Sequence, residues 1–278
     1  PEPGAVAELF CRNDGQPVAW ADGLALVGVP SRTETPVFAC LAGMPSPTDG
    51  AATLLGIFAE AVGAGLDTVL LLGRLQNAQK AMVYALARMA EFRDADTGRH
   101  VHRVEQLVRA IALRLRDVDE FACLRDDHYL EQLTLASILH DVGKVGVPDA
   151  VLNKPGALDP AEQGLMHEHA AIGAQILEDA ARMVPGMSYI SLAAEIAANH
   201  HESADGSGYP RRKTLDQIPL SARIVGVADV YDALVSKRPY KEGWPRDQAI
   251  AWLRAKAGEK FDPRVVDALA AVVAEQGE

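Results

Sequence analysis

The stretch YLEQLTLASILHDVGK, residues 129–144, decides the fold class of most of the chain. It is largely apolar, predicts a helix, and reaches Gly143, a residue that favours a helix end. The residues on both sides of it also predict helices, and alternation with a period of two is almost absent after residue 55. The further predicted helices cover residues 101–118, 161–183, 189–201, 220–236, 247–256 and 263–276, with Asp159 as the expected N-cap of the second. We therefore expect a mainly α fold, which the motifs described below narrow to a helical bundle.

The first 50 residues differ from the rest in composition. They are rich in glycine and proline and contain three short apolar runs, PVAW, LALVGV and PVFACLAG, separated by turn residues. Such runs predict a few strands. They are too few for a complete domain, so we interpret residues 1–73 as the truncated end of an α/β regulatory module.

Residues 74–95 predict a helix that connects this module to a helical domain at residues 96–278. A heptad-like pattern runs through the helix and its flanks. The apolar residues at its two positions are Leu71, Ala78, Ala85 and Phe92, and Leu75, Met82 and Met89. Such a helix either pairs with a second copy of itself in a homodimer or packs as a core helix of one domain. The pattern alone does not decide between the two.

The charge of the chain limits its partners. The net charge is −11, which argues against a nucleic-acid polymer as the main partner. A small anionic ligand in a local basic pocket is compatible with this charge. We find no run that approaches the roughly 20 apolar residues of a membrane span, and no signal peptide. We therefore expect a cytoplasmic protein without membrane contact.

The histidines indicate a metal centre. All eight lie at or after His100, and several stand at predicted helix ends beside carboxylates, as His140 does before Asp141. The adjacent pair His200 and His201 ends another helix. A carboxylate such as Asp141 can bridge two cations with its two oxygens, and two ions roughly 3.5–4 Å apart can share a water and hold a phosphate. Imidazole and carboxylate ligands without thiolate suit Fe, Mn, Ni or Zn.

The order of the motifs resembles the HD-GYP family, the bacterial members of the HD phosphohydrolase superfamily that cleave cyclic dinucleotides. These motifs are HDVGK at 140–144, MHEHAAIG at 166–173, HHESADGSGYP at 200–210, ADVYDAL at 228–234, SKRPYK at 236–241 and GEKFDP at 258–263. The match covers roughly residues 75–278. It implies the all-α bundle of the HD superfamily and a centre of two or three metal ions. The ligands carried over are His140, Asp141, His169, His200, His201 and Asp229.

The resemblance also bears on the number of ions. In place of the family's Glu-Thr-Gly-x-His, whose glutamate and histidine help to hold a third ion, this chain has Asp96 and His100. Aspartate is one methylene, about 1.5 Å, shorter, whereas metal–ligand distances vary by only about 0.2 Å. We therefore expect two divalent ions, Fe or Mn before Ni or Zn, rather than three. His169, and not its neighbour His167, fits the family's M-x-x-H-x-x-x-G.

The resemblance further implies residues that contact the substrate. Asp141 and Lys144 would be catalytic, with Lys144 stabilising negative charge at the scissile phosphate. Arg238 and Lys241 resemble the family's phosphate-binding pair. Tyr209, in the glycine-containing loop at 205–210, would stack on a base or donate a hydrogen bond to a phosphate.

The function implied is hydrolysis of cyclic di-GMP to pGpG or GMP by the output domain of a bacterial two-component signalling protein. Other possibilities are 3′,3′-cGAMP as the substrate, hydrolysis of mononucleotides or (p)ppGpp, and a weakly active sensor or scaffold that recruits diguanylate cyclases. The intact His140 and Asp141 favour the enzyme over the scaffold. Residues 1–73 resemble the GAF-like module of HD-GYP proteins that carry a receiver domain upstream, so a receiver or sensory domain is an expected partner.

Overall fold

The computed structural model describes residues 18–21, 24–32, 37–43, 48–91, 100–184, 186, 188–237 and 242–275. The chain divides into two compact units, Pro1–Gln79 and Lys80–Glu278. One long helix, α1 (Asp49–Glu91), includes the point of division. The domain boundaries that we placed after residues 73 and 95 stay predictions.

The first unit contains a small sheet made of β1 (Val18–Ala21), β2 (Leu24–Val29) and β3 (Val37–Ala42). The strands are antiparallel in the order β1–β2–β3. In the central strand, Leu26 and Val27 are 1% and 0% exposed. The prediction of strands at the three apolar runs is confirmed.

Helix α1 is longer than the helix predicted over residues 74–95. It begins at Asp49, while residues 92–95, and with them Phe92 of the heptad pattern, lie outside the described residues. In the second unit one face of α1 is buried, at Val83, Ala87 and Ala90. On a neighbouring face Met82 and Met89 are 66% and 71% exposed. The described part of the heptad pattern therefore lies mostly in contact with solvent.

By length and composition alone, the segment Gly50–Ala90 of α1 is long and apolar enough to span a membrane. Its apolar stretch has a mean hydropathy of 1.7, and 11% of that stretch is buried. Our expectation that no stretch approaches such a span was wrong, because Glu60 and Asp67 interrupt the apolar run without making it polar overall. Length and composition do not distinguish a membrane helix from one that pairs with another protein helix. The absence of membrane contact and the cytoplasmic location stay predictions.

Among the described residues of the second unit, the regular elements are all helices. Its helices are α2 (His100–Leu115), α3 (Asp127–Ser137), α4 (Asp149–Leu152), α5 (Pro160–Met183), α6 (Ser188–Asn199), α7 (Leu220–Val235), α8 (Arg246–Ala255) and α9 (Pro263–Glu275), with short 3-10 helices at Asp119–Arg125 and Val142–Gly146. The mainly α fold is confirmed. The helix predicted over 129–144 ends earlier, at Ser137, and continues as turns into the 3-10 helix Val142–Gly146.

The packing of these helices brings the candidate site residues together. Helix α5 packs against α6 and against the 3-10 helix Val142–Gly146, while α7 packs against α2 and α6. The fully buried side chains that hold the bundle come from several helices and include Ile111, Leu133, Ile196, Ile224 and Leu269. As predicted, Asp159 caps α5: its side chain accepts the Glu162 N–H at 2.9 Å, and the Glu162 carboxylate accepts the Asp159 N–H at 2.8 Å.

Candidate metal centre

Asp141 lies in the turn between α3 and the 3-10 helix Val142–Gly146 and is 7% exposed. This turn packs closely against α5: a Cβ at Gly143 would lie 1.9 Å from the carbonyl oxygen of His169. Only glycine fits at this distance. The close approach holds Asp141 Oδ1 at 3.3 Å from His169 Nε2. Gly143 therefore has two roles: it follows the end of the helix, and it allows Asp141 to lie close to His169.

The two carboxylate oxygens of Asp141 face different histidines. Oδ1 lies 3.6 Å from His200 Nε2, whereas Oδ2 lies 3.5 Å from His140 Nε2. Among the described residues the potential ligand atoms form two groups, each within 4.8 Å. The first group contains Asp141, His169, His200 and His201, and the second contains His100, His140 and Asp141. Asp141 belongs to both groups, which is the arrangement needed for a carboxylate that bridges two cations.

Three of these histidines are oriented by their own backbone. In His140, His169 and His200, Nδ1 lies 2.8, 2.6 and 3.1 Å from a carbonyl oxygen three or four residues earlier, so Nδ1 carries the proton. Their Nε2 atoms are buried and, among the described residues, have no hydrogen-bond partner. A buried nitrogen lone pair without a partner costs free energy, and a metal ion would satisfy it. The cluster therefore fits a metal.

Asp229 on α7 joins the second group. Its Oδ1 lies 3.4 Å from His100 Nε2 and 3.9 Å from His140 Nε2. We had assigned His100, together with Asp96, to a possible third ion. That assignment stays a prediction; the structure places His100 beside His140 and Asp229, because α2 begins at His100 and packs against α7. Asp96 lies outside the described residues, so the choice of two ions over three stays a prediction.

Burial and charge set the protonation states of the cluster. Burial lowers the pKa of His140 to about 4, and it lowers the pKa of His201 well below its usual value, with His200 adding to the effect. Burial raises the pKa of Asp141, but Lys144 and His140 outweigh this and hold that pKa well below its usual value. At neutral pH His140 and His201 are therefore neutral imidazoles and Asp141 is an ionised carboxylate, the forms that bind metals.

Lys144 and Tyr209 border the cluster. Lys144 Nζ lies 2.8 Å from Asp141 Oδ2. The Tyr209 ring stacks on His167 and His201, with centroid distances of 3.7 and 4.7 Å. The Tyr209 ring is therefore already in contact with two imidazoles. His167 is in neither group of possible metal ligands.

The loop at 205–210 folds back on the residues that follow the histidine pair. Gly206 has a φ of +79°, and a Cβ at Gly208 would lie 2.6 Å from the Cα of Glu202. Both positions therefore require glycine. Glu202, which is 8% exposed, accepts the N–H groups of Arg211 at 2.7 Å and Lys213 at 2.9 Å, and so fixes the exit of the loop.

Asp232 and Arg103 are site residues that the sequence analysis missed. Asp232 is 1% exposed and accepts hydrogen bonds from His100 Nδ1 and from the Arg103 guanidinium. Burial raises the pKa of Asp232, but these hydrogen bonds outweigh it and lower that pKa. A sequence signal existed, since Asp229 and Asp232 are three residues apart and so share one face of α7.

The predicted phosphate-binding pair could not be placed. Arg238 and Lys241 lie outside the described residues, and their role stays a prediction.

Comparison with known families identifies the second unit. Residues 84–265 match the HD domain family. The chain belongs to the HD domain family. The matched segment of this HD domain contains every metal ligand that we predicted, from His140 to Asp229. The recognition based on the spaced histidine and aspartate motifs is confirmed, whereas the GAF-like character of residues 1–73 stays a prediction.

Curated relatives of this HD domain are named as phosphodiesterases. A probable cyclic di-GMP phosphodiesterase of Vibrio cholerae is 44% identical over 197 residues, which are 70% of this chain and 45% of the relative. A 3′3′-cGAMP-specific phosphodiesterase of the same organism is 40% identical over 220 residues, 78% of this chain and 39% of the relative. The chain thus spans less than half the length of these relatives.

A solved structure supports the fold of the HD domain. A cyclic GMP-AMP-specific phosphodiesterase of V. cholerae matches with a TM-score of 0.50 and 19% identity, over 70% of this chain and 48% of that chain. At this identity the match shows the fold alone. It agrees with the helical bundle described above.

Proposed function

We propose that this HD domain is a metal-dependent phosphodiesterase that hydrolyses cyclic di-GMP to pGpG, GMP or both. The observation that carries the proposal is the position of Asp141, whose two oxygens face two separate groups of histidines. The relative named as a probable cyclic di-GMP phosphodiesterase, at 44% identity, supports the substrate class. The protein would act in the bacterial cytoplasm, with a receiver or sensory domain upstream.

Two divalent ions would be held by the cluster. His100, His140 and Asp229 would hold one, His169, His200 and His201 the other, and Asp141 would bridge them. Nitrogen and oxygen ligands without thiolate suit Fe or Mn, with Ni and Zn as alternatives. When bound, such paired ions make a water more acidic and neutralise charge on a phosphate.

The remaining predicted residues would bind and orient the substrate. The Lys144 side chain is 19% exposed beside Asp141, so its ammonium can reach a phosphate at the cluster and stabilise the charge that develops there. Arg238 and Lys241 would hold the second phosphate of the dinucleotide. The Tyr209 hydroxyl would donate to a phosphate oxygen. Asp141, besides bridging, would keep Lys144 in place.

A direct assay tests this proposal. The purified chain, loaded anaerobically with Fe²⁺ or Mn²⁺, should convert cyclic di-GMP to pGpG in a chromatographic assay. Asp141→Asn should abolish turnover, and Lys144→Met should lower kcat by about 10²–10³-fold, as removal of a charge-stabilising donor does in other hydrolases. Lys154→Met is the matched control, because Lys154 pairs with Glu162 outside the cluster.

Failure of that assay has a defined meaning. If the metal-loaded chain turns over neither cyclic di-GMP nor 3′,3′-cGAMP, the enzymatic proposal is wrong. Tight binding of cyclic di-GMP without turnover would then favour a sensor or scaffold that recruits a diguanylate cyclase.

The second candidate substrate is 3′,3′-cGAMP. The relative named as a 3′3′-cGAMP-specific phosphodiesterase, at 40% identity, favours it. Both substrates present the same phosphodiester to the cluster and differ in one base, so the ratio of their kcat/KM values decides between them.

We further infer that α1 pairs with α1 of a second copy of the chain. Leu75, Met82 and Met89 recur every seven residues and are 63%, 66% and 71% exposed, which is the pattern of a coiled-coil seam. Light scattering should give the mass of a dimer, and the double variant Met82→Glu/Met89→Glu should give a monomer. A monomeric wild type that binds phospholipid vesicles would contradict the dimer and favour membrane contact.

A further inference from the structure

His100 differs from His140, His169 and His200 in the group that holds its ring. The Nδ1 atoms of His140, His169 and His200 lie against carbonyl oxygens of their own chain segment. The Nδ1 of His100 instead lies 2.7 Å from Asp232 Oδ2, a carboxylate on α7. The orientation of His100 therefore depends on a side chain from another helix.

Asp232 is itself held in a fixed orientation. Arg103 donates from Nε to Oδ1 at 2.5 Å and from Nη2 to Oδ2 at 2.9 Å. This two-point contact fixes the plane of the carboxylate and compensates its charge, which is necessary because Asp232 is 1% exposed. His100 and Arg103 lie three residues apart on α2 and so share one face of that helix. Both contact the same carboxylate of α7, that of Asp232.

This contact determines which nitrogen of His100 can bind a cation. A carboxylate accepts a hydrogen bond, so Nδ1 carries a proton and Nε2 is the nitrogen left to bind a cation. That Nε2 lies 3.4 Å from Asp229 Oδ1. Asp229 precedes Asp232 by one helical turn, so α7 supplies both a candidate ligand and the group that orients its neighbour.

We propose that Asp232, clamped by Arg103, is a positioning residue that fixes His100 as an Nε2 ligand of the ion shared with His140, Asp141 and Asp229. This inference rests on the metal-dependent function proposed above. It predicts that loss of Asp232 weakens the binding of one ion of the pair. Binding of the ion held by His169, His200 and His201 should not change. Outer carboxylate partners of metal-bound histidines commonly contribute 10–100-fold in metal affinity.

Metal titration of the full chain tests the proposal without reference to turnover. Zn²⁺ is the probe, because it is diamagnetic and binds imidazole and carboxylate ligands. In Asp232→Asn one of the two ions should bind about 10–100-fold more weakly, and the other should bind as in the wild type. His100→Ala should lower the affinity for the same ion. Adding Asp232→Asn to His100→Ala should not lower that affinity further, since Asp232 acts through His100.

A matched control separates positioning from simple loss of a buried ion pair. Asp262 is also a buried aspartate, 2% exposed, and accepts hydrogen bonds from Arg264 and Arg223 rather than from a histidine. Asp262→Asn should lower the unfolding temperature without changing the affinity of either ion. If Asp232→Asn does not fold, Arg103→Lys replaces it, with a smaller loss of affinity at the same ion.

Long-range ¹H–¹⁵N spectra of the histidine side chains give an independent readout. In the Zn²⁺-loaded wild type, His100 should carry its proton on Nδ1 and bind the ion through Nε2. The opposite assignment, or unchanged affinity of both ions in Asp232→Asn and His100→Ala, would overturn the proposal. Failure of the phosphodiesterase assay alone would leave these results interpretable, because none of them measures turnover.

Discussion

Acidification should destabilise the metal-free chain, and His140 allows the size of the effect to be worked out. Burial lowers the pKa of His140 from 6.5 to about 4. Between these pH values the unfolded chain binds a proton at His140 and the folded chain does not, so acid favours unfolding. The contribution of His140 to stability is therefore complete above about pH 6.5 and is lost as the pH falls towards 4. At about 1.4 kcal/mol for each pKa unit, the loss is about 3 kcal/mol.

Urea denaturation of the EDTA-treated chain, followed by circular dichroism from pH 7 to pH 4, measures this loss. The variant His140→Asn cannot bind the proton, so its free energy of unfolding should fall by about 3 kcal/mol less over the same range. His128→Asn is the control, because His128 is exposed on α3, and it should behave as the wild type does. If wild type and His140→Asn depend equally on pH, the argument that burial keeps His140 neutral and ready for a metal is refuted.

Three further substitutions test how the fold positions the site. Gly143→Ala should destabilise the chain by about 1–3 kcal/mol or more and reduce its metal content, because the added Cβ would meet the His169 carbonyl oxygen at 1.9 Å; Gly164→Ala, where nothing lies within 4 Å, should be neutral or stabilise by up to about 1 kcal/mol. Asp159→Ala should lower the free energy of unfolding by about 1 kcal/mol through loss of the α5 cap while the metal content stays the same, as elemental analysis would check. Glu202→Gln should destabilise the loop exit by about 1–3 kcal/mol, because an amide nitrogen would face a backbone N–H, and amide hydrogen exchange at residues 211 and 213 should become faster.

Local sequence patterns carried much of the prediction of the fold. The three short runs before residue 43 formed strands, and the apolar periodicity after residue 100 formed helices, because both patterns follow from how a segment buries one face. The cap at Asp159 was predictable for the same reason, since capping depends on neighbours within one turn. The motifs that contain His140 and Asp141 identified the family because several spaced residue types had to occur together.

Contacts between distant segments were not predictable. His100 and Asp232 are 132 residues apart in sequence, and only the packing of α2 against α7 brings them into contact. The sequence alone therefore did not predict that His100 lies beside His140 and Asp229. Likewise, the sequence predicts only a helix end at Gly143. The close approach of Gly143 to α5 is found only in the folded structure.

The length of α1 was underestimated. We assigned the connecting helix to residues 74–95 because we interpreted residues 1–73 as the regulatory module, whereas the structure continues the helix back to Asp49. Intrinsic helix propensity is a weak guide to where a helix begins when tertiary contacts decide. Among the described residues of α1, few face the bundle, and Val83 and Ala87 are two of them.

The number of metal ions per chain tests the central claim most directly, since that claim is that Asp141 joins two groups of histidines into one centre. Elemental analysis of chain purified anaerobically with Fe²⁺ or Mn²⁺ supplied should give close to two ions per chain, and Asp141→Asn should lose at least one of them. A wild-type chain that retains no metal under these conditions, or an Asp141→Asn chain that retains both ions, would contradict the account.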